Sequence, residues 1–211
     1  MNGRKIDLLF IAGLVAGASY FFIRDMALPF ALLCAWKGAG VACFALWAAL
    51  QARSTDGWLI AAALACGTLG DILIESNLIH GALGFLAGHL IAIVLYWRNR
   101  RGSQIWVIPA ALGVMMIARS MPDNRADAWG IGFYALGLGA MAGMAWISRF
   151  PPATVKLGAL FFVLSDLFLF ARMGPLAGSV LPDLLVWPLY LGGQALIAWG
   201  VVTSLRQEVS A

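Results

Sequence analysis

The sequence predicts an all-α integral membrane protein, a bundle of about eight transmembrane helices forming one domain over residues 1–211. Three observations predict this class. Hydrophobic residues make up 62% of the chain and charged residues 11%, against about 25% charged in an average soluble domain. A soluble chain this apolar has too few polar groups to cover its own surface, and a bilayer removes that conflict. The apolar residues also fall into segments near the length of about 20 residues that a spanning helix needs. Finally, no period-two alternation competes with the helical reading.

In chain order the expected spans are residues 6–23, 27–50, 57–75, 80–97, 104–119, 128–147, 153–172 and 182–205, the fifth being the shortest. The breaks carry polar or turn-forming residues: Arg24 and Asp25; Arg53 to Asp56; Arg98 to Gly102; Met121 to Asn124; Pro151 and Pro152. The first span imitates a signal peptide, with Arg4 and Lys5 before an apolar run and Ala16, Gly17 and Ala18 resembling a cleavage site. The run continues to Ile23, long enough to span, so a retained helix is expected. Cys34, Cys43 and Cys66 all lie inside apolar stretches without CxxC spacing, which points to packing thiols and away from disulfides or metal ligation.

Orientation follows from the basic residues. With the N-terminus inside, the inner segments hold Arg4, Lys5, Arg53, Arg98, Arg100, Arg101, Arg149, Lys156 and Arg206, and the outer ones hold Arg24, Arg119, Arg125 and Arg172. This excess places both termini in the cytoplasm, in a bacterial inner membrane. The formal charge is +4 and its carriers are dispersed among short loops, which excludes a nucleic-acid partner. The expected partner is the lipid bilayer. Nothing in the sequence specifies an oligomeric state.

The remaining basic residue, Lys37, lies within a span, as do Asp71, His89 and Asp166, with Glu75 at a span end. Each costs about 2.5–3.5 kcal/mol at a helix centre, so each needs a reason. Tyr134, Tyr190 and Gln194 are polar residues at similar depth. With the orientation above, all these groups fall roughly 10–20 Å below the outer surface at 1.5 Å per residue. Independent helices need not agree in depth; one outward-opening polar cavity explains the agreement. The competing explanation is interhelical hydrogen bonding, which is common for a lone His, Gln or Tyr in a span. Glu75 is then an interfacial residue or a rim group of the cavity, and His80 a surface residue.

A short internal repeat is present. Leu69 to Ile74 (LGDILI) resembles Leu164 to Leu169 (LSDLFL), four spans later, so both copies point the same way across the membrane. This fits two similar four-helix halves.

These residues also carry a family resemblance. Gly70 and Asp71, then Gly81, Phe85 and His89, then the stretch Gly158 to Asp166 (GALFFVLSD), then Tyr190 and Gln194, resemble the YhhN family of membrane lysoplasmalogenases. Lys37 in the second span and Tyr134 with Met141 in the sixth fit the same pattern. The resemblance runs from about residue 30 to 200, and the GALxFxxSD stretch is its most specific part. Gly38 and Ala92 depart from it, standing where the family often has proline and an aromatic residue.

The resemblance implies hydrolysis of the vinyl-ether bond of a lysophospholipid, giving a fatty aldehyde and a glycerophospho-alcohol without a cofactor. The chemistry needs a proton donor and an anion that stabilises an oxocarbenium ion and activates water. Asp71 and Asp166 can divide these roles if one is protonated and the other ionised. His89 would relay or position a proton. Lys37 would support the ionised carboxylate or hold the lipid phosphate. Tyr190 and Gln194 would orient water or the glycerol hydroxyl, and Tyr134 would line the substrate site. No metal is expected; a site made of Asp71, Asp166 and His89 is the alternative. Paired intramembrane carboxylates, a lysine and repeated halves also occur in transporters, and a lipid-binding scaffold without turnover is a third class.

Overall fold

The computed structural model describes residues 3–210; Met1, Asn2 and Ala211 lie outside the described residues, as do the side chains of Arg4 and Lys5 that enter the charge count. The described residues form eight α-helices and no strand. They are α1 (Gly3–Ile23), α2 (Phe30–Gln51), α3 (Thr55–Leu73), α4 (Leu78–Arg98), α5 (Val107–Ser120), α6 (Ala128–Ile147), α7 (Leu157–Ala171) and α8 (Leu181–Ser210). A 3-10 turn (Gln104–Trp106) leads into α5 and a π-helical turn (Pro152–Lys156) into α7.

Six helical segments are long and apolar enough to cross a membrane: α2, α3, α4, α6, the π turn with α7, and α8. The apolar stretches of α1 and α5 are shorter, Asp7–Ile23 and Gln104–Ser120. This is the pattern of a multi-pass membrane protein. Large apolar side chains such as Val15, Phe22, Leu83 and Phe133 are exposed on the helices, as a lipid-facing surface requires.

The helix boundaries have local causes. The Ser54 hydroxyl accepts a hydrogen bond from the Gly57 N–H at 3.2 Å and caps α3. Asn77 Oδ1 accepts from the Ile79 and His80 N–H groups at 2.9 and 3.0 Å at the start of α4. Pro29 and Pro151 stand immediately before helical segments, where their missing N–H costs nothing. Pro188 lies inside α8, which runs on through it.

The chain divides into two compact units, Met1–Leu95 with Ala198–Ala211, and Tyr96–Ile197. The first division, after Leu95, falls near the end of α4.

In the first unit, α1 meets α2 backbone to backbone: a Cβ on Gly40 would lie 2.9 Å from Gly17 Cα. Near the other end of α1, Phe10, Trp47 and Trp199 form an aromatic cluster, with Trp47 and Trp199 stacked at 5.7 Å. The Arg206 guanidinium lies 3.4 Å from Asp7 Oδ1. In the second unit, α5 and α6 pack along their length. The Arg149 Nε–H donates to Asn99 Oδ1 at 2.6 Å and the Arg149 N–H to the Asn99 carbonyl at 2.9 Å, which ties the segment after α6 to the end of α4. The three cysteines are free thiols.

Candidate functional site

Each unit carries one of the two intramembrane aspartates, and each aspartate follows a small residue at a helix contact. In the first unit a Cβ on Gly84 would lie 2.9 Å from Gly70 N, and one on Gly88 would lie 3.0 Å from the Ala63 carbonyl oxygen. Small residues one turn apart on α4 therefore let α3 approach closely. Asp71 and His89 directly follow two of these glycines and are buried, at 1% and 3% exposure. Gly38 belongs to the same packing: a Cβ there would meet Ile72 Cγ1 at 2.9 Å. The departure from proline at that position coincides with a tight α2–α3 contact beside Lys37 and Asp71.

Lys37 is ion-paired. Its ammonium donates to Glu75 Oε1 at 2.5 Å, and both side chains are largely covered. Glu75 lies in the turn beyond Leu73, where α3 has ended. The Tyr20 hydroxyl donates to the same Oε1 at 3.5 Å. The ammonium also sits 5.8 Å from the Tyr20 ring centroid, within cation–π range. His80 is exposed at the start of α4.

In the second unit, Tyr134 on α6 and Asp166 on α7 are joined directly. The phenol O–H donates to Asp166 Oδ2 at 2.7 Å, both residues being buried. Phe170, one turn after Asp166, meets the Tyr134 ring edge to face at 5.8 Å. Ser165 donates to the Val186 carbonyl at 2.8 Å and ties α7 to α8. Phe162, one turn before Asp166, packs edge to face on Tyr190 at 5.2 Å. The Gln194 amide donates to the Tyr190 hydroxyl at 3.4 Å, one turn along α8. Tyr134, Asp166, Tyr190 and Gln194 thus gather on three adjoining helices of one unit.

Three contributors were not singled out from the sequence as site residues. Glu75 was read as interfacial or a rim group, Tyr20 carried no signal beyond being aromatic in an apolar helix, and Phe162 stood at the fixed aromatic position of the GALxFxxSD stretch without a role of its own. Among the described residues no three His, Cys, Asp or Glu side chains group so as to hold a metal ion.

The Tyr134–Asp166 bond makes a specific prediction. Tyr134→Phe leaves the buried carboxylate one donor short, and intramembrane hydrogen bonds average about 0.6 kcal/mol with a maximum near 1.7. A loss of about 1 kcal/mol is expected in denaturant unfolding from detergent micelles. An unchanged unfolding midpoint would show that the bond contributes nothing.

Neither the curated proteins nor the solved structures yield a significant match to this chain. The sequence profile of the YhhN family matches residues 32–201, a segment containing Lys37, Asp71, His89, Tyr134, Asp166, Tyr190 and Gln194. That segment covers most of the chain, and the protein belongs to the YhhN family.

Proposed function

We propose that this YhhN protein is a membrane lysoplasmalogenase, hydrolysing the vinyl-ether bond of a 1-alkenyl lysophospholipid. The observation that carries the reading is the pair of buried aspartates at matching positions of the LGD/LSD repeat, one of them held by Tyr134. Family membership fits a membrane enzyme.

Cleavage of a vinyl ether begins with proton transfer to the alkenyl carbon beyond the ether-bearing one. The positive charge then spreads over the neighbouring carbon and the ether oxygen. Water adds to that carbon and gives its proton to a base. The hemiacetal collapses to a fatty aldehyde and a glycerophospho-alcohol. One carboxyl group supplies the first proton, and a carboxylate faces the cation and takes the proton from water. In this reading Asp71 and Asp166 divide the two tasks and His89 positions or relays a proton. Lys37 holds the lipid phosphate. Tyr134 orients Asp166, while Tyr190 and Gln194 place the water or the glycerol hydroxyl.

All eight helices would span the bilayer with both termini cytoplasmic, which brings the substrate from the outer leaflet. The transporter reading draws on helices broken near the midplane; α8 runs unbroken through Pro188, which counts against it.

The mechanism has an isotopic signature. Turnover in heavy water should leave one deuterium on the aldehyde carbon adjacent to the carbonyl, read by mass spectrometry of the trapped product. Aldehyde formed without that deuterium would rule out protonation at carbon.

A further inference from the structure

We infer that α1, which precedes the segment matched by the YhhN profile, completes the lipid-phosphate site: Tyr20 and Glu75 position the Lys37 ammonium. The inference rests on the reading of Lys37 as the phosphate-holding residue. A lysine has a flexible four-carbon stem and a compact charge, so it is a poor anchor unless something fixes its end. Here two groups converge on it. Glu75 Oε1 accepts from the ammonium at 2.5 Å and from the Tyr20 hydroxyl at 3.5 Å, so one carboxylate oxygen joins all three side chains. The Tyr20 ring lies 5.8 Å from the same ammonium and restrains it from a second direction.

The backbone holds the arrangement in register. Ser19 and Trp36 are the chain neighbours of Tyr20 and Lys37, and the Trp36 indole N–H donates to the Ser19 hydroxyl at 3.0 Å. The Gly17–Gly40 contact sits one turn further into the bundle and brings the α1 and α2 backbones together there. Tyr20 is itself buried, at 5% exposure. An ammonium has three N–H donors pointing in different directions, so it can hold Glu75 and a phosphate oxygen together. Glu75 also offsets the cost of a lysine charge inside the helix bundle when no lipid is bound. Tyr20 is thus a positioning residue that acts through Glu75 and Lys37.

The test measures binding, so it does not depend on turnover. The probes are a non-cleavable 1-alkyl lysophospholipid and the matching phosphate-free 1-alkyl glycerol, titrated by intrinsic tryptophan fluorescence into the full chain in detergent micelles. Tyr20→Phe keeps the ring and removes the hydroxyl, Glu75→Gln removes the charge, and Lys37→Gln serves as the reference. Each is expected to weaken lysophospholipid binding, Tyr20→Phe and Glu75→Gln by about three- to tenfold, as for the loss of one hydrogen bond. Binding of the phosphate-free lipid should not change, whereas damage to the fold alone would weaken both probes. If Lys37→Gln weakens phosphate-lipid binding and neither Tyr20→Phe nor Glu75→Gln does, the positioning role is overturned and the Lys37 role stands. If Lys37→Gln has no effect, both fall.

Discussion

Asp71→Asn and Asp166→Asn should each lower the initial rate of aldehyde release by about 10²- to 10⁴-fold, the usual scale of general acid–base contributions. Asparagine preserves the shape of the side chain and can still accept a hydrogen bond from Tyr134 at position 166. It can neither donate an acidic proton nor stabilise a neighbouring cation as an anion. A vinyl ether is a weak carbon base, so loss of the donor leaves its slowest step without an acid. Both variants should remain folded, because amide-for-carboxyl exchange keeps the size of the side chain and opens no cavity. Rate and melting temperature measured on the same preparations separate the two effects. Near-normal rates in both variants would remove the two-carboxylate mechanism.

Gly193→Val should be a strongly damaging packing change beside the candidate site. A Cβ on Gly193 would lie 2.8 Å from the Gly158 carbonyl oxygen and 3.2 Å from Phe162 N, and one on Gly158 would meet the Gly193 carbonyl oxygen at 2.8 Å. The obstacles are backbone atoms on both helices, so no rotamer change relieves them. Helix α7 must move away from α8 or the unit must unfold. Overpacking of this kind costs about 1–3 kcal/mol, occasionally more. Separation would also pull Phe162 from Tyr190 and Ser165 from the Val186 carbonyl, disturbing the turns that flank Asp166. The variant should therefore lose thermal stability and activity together. Wild-type stability and rate would show that the two helices do not need this contact.

The helical architecture was legible because bilayer thickness imposes a length on apolar segments, and the residues that interrupt them are polar or proline. The aspartates were legible for a related reason: a carboxyl group inside an apolar run is costly enough to need a function or a partner. What the sequence could not display was pairing across helices. Tyr134 and Asp166 are separated by 32 residues, and Lys37 and Glu75 by 38. Glu75 lies in the turn past α3, where an acidic residue reads as interfacial, and its pairing with Lys37 depends on how α2 packs against α3. Tyr20 near the end of an apolar helix has the position of an ordinary interfacial aromatic. The Gly17–Gly40 contact and the Ser19–Trp36 hydrogen bond help set it against Lys37. The Pro151–Pro152 pair read simply as a break. The structure uses it to begin a helix through a π turn, because proline at a first helical position sacrifices no hydrogen bond.

Purified protein incubated with a 1-alkenyl lysophospholipid in mixed micelles tests the central claim most directly, with released fatty aldehyde measured by hydrazone trapping. The account predicts steady aldehyde formation that depends on protein concentration, and none from the matching 1-acyl or 1-alkyl lysophospholipid. No aldehyde from the alkenyl lipid, with the protein folded and the lipid shown to bind, would contradict it.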